Sequence, residues 1–107
     1  MPFRVVISHD ADRDLEDIYR YVSAHDSAPN AERLISNLVD ACGSMANFPE
    51  RGNVPKEMAQ RAALGYREVH RGPYRIIYRG AGRTVFVNCV LDGRRDMQAL
   101  LPRRLLS

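Results

Sequence analysis

The spacing of apolar residues along the chain predicts a strand, two helices and then more strands. A short β-branched run, residues 3–8, predicts the first strand. Apolar residues then recur at helical spacing in two stretches, which predict two amphipathic helices that end near residues 25–26 and at Phe48-Pro49. Because the link between them is short, the helices should form an antiparallel hairpin. The two stripes are Ala11, Leu15, Ile18, Tyr19 and Val22, and Ala31, Leu34, Ile35, Leu38, Val39, Cys42 and Met45.

The stretch 65–96 predicts a three-stranded antiparallel meander. Residues that suit a pleated surface fill the runs 66–70, 74–79 and 84–91, and glycine-containing turns at 72–73 and 80–82 separate them. The connector before it, 50–64, offers one turn of helix, and the tail after Asp96 predicts a short helix laid against the sheet edge.

This order of elements predicts an α+β fold in one domain, residues 1–107: N-terminal strand, α-helical hairpin, three-stranded antiparallel meander and short C-terminal helix. The hairpin should cover one face of the sheet and leave the other face partly open to solvent. The tail should add little to the core, because its apolar stripe is short.

Composition limits the function classes. The net charge of +3 is weaker than that of a dedicated nucleic-acid binder, yet Lys56 is the only lysine among the 16 basic residues. Arginine offers carboxylates and phosphates a planar fork that lysine lacks. The sequence has no apolar run long enough for a signal peptide or a membrane span, which indicates a cytoplasmic protein without a membrane partner.

The cysteines and histidines give no sign of a metal site or a cofactor. Cys42 and Cys89 stand within apolar patterns and should be buried free thiols, and no metal-ligand spacing is present. His70 could move a proton near neutral pH, but a single histidine is more often a surface or structural residue. No nucleophile–base pair and no pair of catalytic carboxylates stands out.

Arginines of the meander are the first candidate for function. Arg67 and Arg75 on one face, with Arg94 just beyond the last strand, would form a basic patch for phosphates or for an acidic protein surface. Alternatively, such arginines pair with neighbouring carboxylates, for which the sequence offers Glu68, Asp92 and Asp96.

The C-terminal segment is the second candidate. Arginines at 94, 95, 103 and 104 bracket leucines at 100, 101, 105 and 106. An exposed apolar stripe rimmed by arginine indicates a protein-binding site or a dimer seam. A tail docked on the core explains the same pattern equally well.

Several segments together resemble the RelE/ParE toxin superfamily of type II toxin–antitoxin systems. They are ADRDLEDIYRYV, FPERG, GYREV leading into PYRIIYR, and TVFVNCVLDGRRD, and they extend nearly end to end. The resemblance implies a cytoplasmic toxin of a plasmid-stabilisation or stress module. It also implies a cognate antitoxin as partner, with assembly as a homodimer or as a heterotetramer with that antitoxin.

Two activities occur in the superfamily, so the resemblance leaves open whether the chain is an enzyme. RelE-like members resemble ribonucleases that cut mRNA on the ribosome, and the catalytic residues would be Arg67, Arg75 and Arg94. This sequence departs from that pattern at Val69 and Leu100, where a basic residue and a tyrosine are expected.

ParE-like members resemble inhibitors of DNA gyrase, and the tail LDGRRDMQALLPRRLL fits them better. A ParE-like inhibitor of gyrase is therefore the main hypothesis, and a RelE-like endoribonuclease is the alternative. The target-binding residues implied by the ParE-like resemblance are Arg94, Arg95, Asp96, Leu100, Leu101, Arg103 and Arg104.

Overall fold

The computed structural model describes residues 2–106, so the first and last residues of the predicted domain 1–107 lie outside the described residues. The sequence folds into strands and helices in the predicted order. They are β1 (Arg4–Ile7), α1 (His9–His25), α2 (Ala28–Gly43), β2 (Tyr66–Arg71), β3 (Tyr74–Ala81), β4 (Thr84–Asp92) and α3 (Met97–Leu106), with short 3₁₀ turns at Ser44–Ala46 and a longer 3₁₀ segment at Lys56–Leu64.

Serine side chains start both helices of the hairpin. The Ser8 hydroxyl accepts a hydrogen bond from the Ala11 amide, and the Ser27 hydroxyl accepts one from the Asn30 amide. Helix α2 ends at Gly43, earlier than Phe48-Pro49, because the chain tightens into a 3₁₀ turn. Val39, which the helical stripe placed in the core, is exposed.

The four strands form one sheet in the order β1-β4-β3-β2, in which β1 runs parallel to β4 and the other pairs are antiparallel. Gly72 and Gly82 have φ angles of 57° and 60° at the two hairpin turns, a region that favours glycine. Ile77 pairs with Cys89 of β4, whereas the next residue, Tyr78, pairs with Val87. Asn88 is therefore left unpaired in a β-bulge.

Apolar residues cover both faces of the sheet. The core beneath the hairpin contains Ala11, Leu15, Leu38, Ala41, Cys42, Met45, Ile76, Tyr78, Val85, Val87 and Val90. A second core on the opposite face contains Met58, Tyr66, Ile77, Cys89, Leu91, Met97 and Leu101. The second face is thus less open than expected, because the 3₁₀ segment and α3 cover much of it, although Phe86 on this face remains 39% exposed.

Helix α3 packs on the face of the sheet opposite the helical hairpin rather than only against the sheet edge. Leu101 is 0% exposed and Met97 is 4% exposed within the second core. Tyr66 donates a hydrogen bond from Oη to the Leu105 carbonyl over 3.3 Å. The expectation that the tail adds little to the core is therefore wrong.

Both cysteines are buried free thiols, as the sequence predicts. Burial raises the pKa of Cys42 to about 11 and that of Cys89 to about 12. Within residues 2–106, no helix is both long enough and apolar enough to cross a bilayer.

Candidate functional site

Arg67 and Arg75 lie on opposite faces of the sheet, contrary to the prediction of a shared basic patch. The two-residue turn at Gly72-Pro73 pairs Arg67 with Tyr78 and His70 with Arg75. Tyr78 belongs to the core beneath the hairpin, so Arg67 is on that side. This register puts odd residues of β2 on the same face as even residues of β3, which sequence spacing within one strand does not reveal.

The Arg75 guanidinium is enclosed by two buried carboxylates. It donates to Glu68 Oε1 over 2.6 Å and bidentately to the two oxygens of Glu57 over 2.7 and 2.9 Å. The three side chains are 3–9% exposed. Hydrogen bonding to Glu57 raises the pKa of Arg75, and the same bond lowers the pKa of Glu57.

The surroundings of Arg75 are built to hold it in place. A Cβ atom on Gly93 would stand 2.8 Å from Arg75 Cδ, so the glycine leaves room for the side chain. His70 Nε2 lies 3.4 Å from Glu68 Oε2, on the outer side of the cluster. Sequence reasoning identified Glu68 as a partner but missed Glu57, which the 3₁₀ segment brings from 18 positions away.

Arg67 binds the backbone of the link that follows α2. Its Nη1 donates to the Gly52 carbonyl over 2.7 Å and to the Glu50 carbonyl over 3.4 Å. Gly52 in turn donates its amide to Tyr78 Oη over 3.0 Å. Arg67 therefore ties the FPERG link to the sheet.

Arg94 and Arg95 are exposed on the turn that follows β4. Asp92 accepts two hydrogen bonds from the Arg94 side chain, over 2.6 and 3.0 Å, which lowers the pKa of Asp92. Asp96 caps α3, since its Oδ1 accepts a hydrogen bond from the Ala99 amide over 3.3 Å.

A groove of about 330 Å³ lies beside this turn, between α1 and the end of β4. Its walls include apolar and aromatic side chains as well as the two arginines of the turn. The lining residues are Asp14, Asp17, Ile18, Tyr21, Tyr74, Val90, Leu91, Asp92, Arg94 and Arg95.

The groove follows the part of β4 that extends beyond β1. The paired residues of β1 end at Ile7, opposite Val87. Farther along, the Asp14 carboxylate accepts a hydrogen bond from the Val90 amide over 3.0 Å. A side chain therefore takes the place of a neighbouring strand at this edge.

Arg104 of α3 also contacts this edge of the sheet. It forms a bidentate pair with Asp14 over 2.9 and 3.0 Å and also donates to the Asn88 carbonyl over 3.4 Å. Hydrogen bonding to Asp14 raises the pKa of Arg104. The contact joins α1, β4 and α3 at one point.

The predicted target-binding residues thus occupy different environments. Arg94, Arg95 and Arg103 are exposed, and Asp96 is the helix cap. Leu101 is in the second core, Leu100 packs at its margin and Arg104 is held by Asp14. The exposed arginines are the members most accessible to a partner, whereas Leu101 is fully buried.

Comparison with known proteins gives a consistent family assignment. Residues 5–97 match the family model described as the ParE toxin of the type II toxin–antitoxin system parDE. No curated protein sequence matches the chain.

Solved structures with the same fold include toxin–antitoxin complexes. The chain is similar to one from the chromosomal ParDE system of P. aeruginosa, at 17% identity and a TM-score of 0.66, over 82% of this chain and 92% of that one. It is also similar to one from the RelBE2 toxin–antitoxin complex of Mycobacterium tuberculosis, at 25% identity and a TM-score of 0.61, over 86% and 92% of the two chains.

Proposed function

Because the chain belongs to the ParE toxin family of type II toxin–antitoxin systems, we propose that it inhibits DNA gyrase and that a cognate antitoxin neutralises it. Both gyrase and the antitoxin would be met in the cytoplasm. Within such a module the protein would serve plasmid stabilisation or a stress response.

The main observation behind the proposal is that Arg67 and Arg75 are already bound by other groups of the protein. Cleavage of RNA by its own 2′-hydroxyl needs positive charge at the phosphorane and a group that takes the proton. Here Arg75 is neutralised by Glu57 and Glu68, and Arg67 lies on the other face, bound to backbone carbonyls. One phosphate therefore cannot meet both Arg67 and Arg75, and two carboxylates already bind the Arg75 guanidinium, which disfavours a RelE-like ribonuclease.

The exposed arginines on the turn after β4 are the proposed contact with gyrase. Arg94 and Arg95 are next to a groove with aromatic walls, an arrangement that suits a protein partner. Charge on such a rim increases the rate of association and helps to select the partner.

A supercoiling assay with purified gyrase tests this proposal. The wild-type chain should inhibit supercoiling, and the double variant Arg94→Ala/Arg95→Ala should need about tenfold more protein for the same effect. Arg20→Ala is the matched control, because Arg20 is also exposed but pairs with Glu16 and Asp17 on the outer side of α1. Full inhibition by the double variant would contradict the assignment of these residues.

The similarity to a chain of the RelBE2 complex supports testing the RelE-like alternative as well. This alternative makes a different prediction. Primer extension on programmed ribosomes would then show cuts in mRNA that Arg75→Ala abolishes. Such cuts, together with unchanged gyrase activity, would replace the gyrase proposal.

The antitoxin is proposed to occupy the groove between α1 and β4 with an extended segment. The Val90 amide points away from β3, so the Val90 carbonyl is also directed to the groove side of the strand. An added strand could use this edge while its side chains contact Tyr21 and Tyr74 in the groove. Co-expression with the small protein encoded beside this toxin should give a complex that co-purifies, and size-exclusion chromatography with light scattering would give its stoichiometry.

A further inference from the structure

Four residues form a row that crosses the whole sheet on the side of α3. The strand register pairs Val6 with Phe86, Phe86 with Arg79, and Arg79 with Tyr66. Residues directly opposite each other on neighbouring strands share a face and are about 5 Å apart. Tyr66 belongs to the second core, so the row, Val6-Phe86-Arg79-Tyr66, faces the same side as α3.

Helix α3 and the 3₁₀ segment leave the middle of this row open. Phe86 is 39% exposed although β4 has a neighbouring strand on each side of it. Arg79 is also exposed, and its guanidinium carbon lies 4.6 Å from the centroid of the Tyr66 ring. The guanidinium is therefore supported by Tyr66 on one side and is accessible on the other.

The charge at this end of the sheet is positive. Arg4 stands two residues before Val6 and shares the face of the row, next to Thr84 of β4 and with Ala81 of β3 beyond it. None of the residues named on this surface is acidic. Arg4 and Arg79 form no ion pair with any residue in the described range 2–106, in contrast to Arg75, Arg94 and Arg104.

A single exposed apolar residue needs no special explanation, because such residues are common on protein surfaces. The feature that points to a ligand is the combination of a ring, a supported guanidinium plane and an additional arginine. Phe86 and Val6 alone offer far less apolar area than a stable protein interface, which buries about 800 Å² per partner. Nucleic-acid bases, in contrast, stack on single aromatic rings and on arginine planes.

We propose that this surface binds single-stranded DNA. One base stacks on Phe86, the next stacks on the open side of the Arg79 guanidinium, and Arg4 contacts a phosphate. The choice of DNA rather than RNA rests on the proposed function, since DNA is the substrate of gyrase, and the choice of a single strand rests on the ring and the guanidinium plane, which stack on unpaired bases. The carboxylates that the structure places on this face, Glu57 and Glu68, are both bound to Arg75.

Fluorescence anisotropy with a labelled oligo(dT) of about 12 nucleotides tests the assignment on the full chain. Phe86→Ala should weaken binding about tenfold, the range expected for loss of one stacked base. Phe86→Leu should weaken binding similarly because it keeps an apolar side chain without the ring, and Phe86→Trp should retain binding. Phe48→Ala is the matched control, because Phe48 is 63% exposed and lies outside the row.

The arginines have separate expected effects. Arg79→Lys keeps the charge and removes the plane, so it should weaken binding several-fold. Arg4→Ala should reduce the slope of log affinity against log salt by about 0.7, the value for one phosphate contact with a single strand. Arg20→Ala should leave both quantities unchanged. Thermal melting by circular dichroism must show that each variant is folded.

Several results would overturn the proposal. They are oligo(dT) binding that Phe86→Ala and Phe86→Leu leave intact, the absence of binding at micromolar protein, and tenfold tighter binding of oligo(U) than of oligo(dT). The gyrase assay separates this proposal from the previous one. If wild-type protein binds oligo(dT) through Phe86 but does not inhibit gyrase, the row is supported and the proposed function fails. If Phe86→Ala loses oligo(dT) binding and inhibits gyrase fully, DNA binding is supported and its contribution to gyrase inhibition is excluded.

Discussion

Glu57 and Glu68 hold the Arg75 guanidinium between the 3₁₀ segment and the sheet. The two carboxylates accept three short hydrogen bonds from the one guanidinium, and all three side chains are largely buried. Removing Glu57 would leave Arg75 paired with Glu68 but would deprive the Arg75 Nη1 and Nη2 groups of their acceptor, and a mostly buried charged donor without an acceptor is costly.

Glu57→Ala is therefore expected to lower the free energy of unfolding by about 3 kcal/mol. Glu16→Ala is the control, because Glu16 is 61% exposed in its pair with Arg20 and should change that free energy by less than about 0.5 kcal/mol. Urea unfolding followed by circular dichroism measures both. Equal effects of the two substitutions would mean that the 3₁₀ segment does not depend on the Arg75 cluster.

The pH dependence of stability should report the same carboxylate. Hydrogen bonding to Arg75 lowers the pKa of Glu57 below its ordinary value of 4.5. A carboxyl whose pKa is lower in the folded state contributes stability above its unfolded pKa, and this contribution disappears as the pH falls through the folded pKa. Urea midpoints should thus fall below about pH 4.5, and more steeply for the wild-type chain than for Glu57→Gln.

At the residue scale, local patterns predict burial better than they predict partners. Burial of Cys42 and Cys89 follows from their apolar neighbours in the sequence. The environment of Arg75 depends on Glu57, and no periodicity links a connector residue to a strand residue. The face of Arg67 depends on strand register, which the turn at Gly72-Pro73 sets.

At the scale of secondary-structure elements, α3 is the part whose role differs most from expectation. Its short apolar stripe supplies Met97 and Leu101 to a core that the 3₁₀ segment and three strands share. Arg104 then fixes the last turn to Asp14. The helix is therefore part of the folded core as well as a carrier of surface arginines.

Leu101→Ala should lower the free energy of unfolding by about 2–5 kcal/mol, because it removes a fully buried side chain and leaves a cavity. Leu106→Ala, in the same helix but 37% exposed, should cost less than about 1 kcal/mol. Chemical denaturation compares the two variants. A small effect of Leu101→Ala would restore the view that the tail is separable from the core.

The ends of most helices and strands were predictable because they depend on nearby residues in the sequence. Capping serines, helical apolar spacing and turn glycines place the ends of β1, α1 and the meander strands within a few residues. The side of the sheet on which α3 packs was not predictable in this way. It depends on how β3 and β4 divide their apolar residues between two faces and on which elements remain to cover them.

At the scale of the whole molecule, the sequence predicts the α+β class and the superfamily but not the full arrangement of the sheet. The resemblance depends on segments from many parts of the chain, so a wrong prediction for one helix or strand does not change the superfamily assignment. The parallel pairing of β1 with β4, in contrast, joins residues that are far apart in the sequence, such as Arg4 and Thr84, and leaves no local signal. The open groove at the end of β4 results from the shortness of β1 and was likewise invisible in the sequence.

That parallel pair also determines when a newly made chain can fold. Arg4 pairs with Thr84, and Ile7 pairs with Val87, so β1 has no partner until most of the chain exists. During synthesis the helical hairpin can form early from local contacts, whereas closing the sheet requires a long loop to be ordered first. A nascent chain that still lacks β4 therefore has no closed sheet, and the groove between α1 and β4 and the turn with Arg94 and Arg95 can form only after that strand has been made.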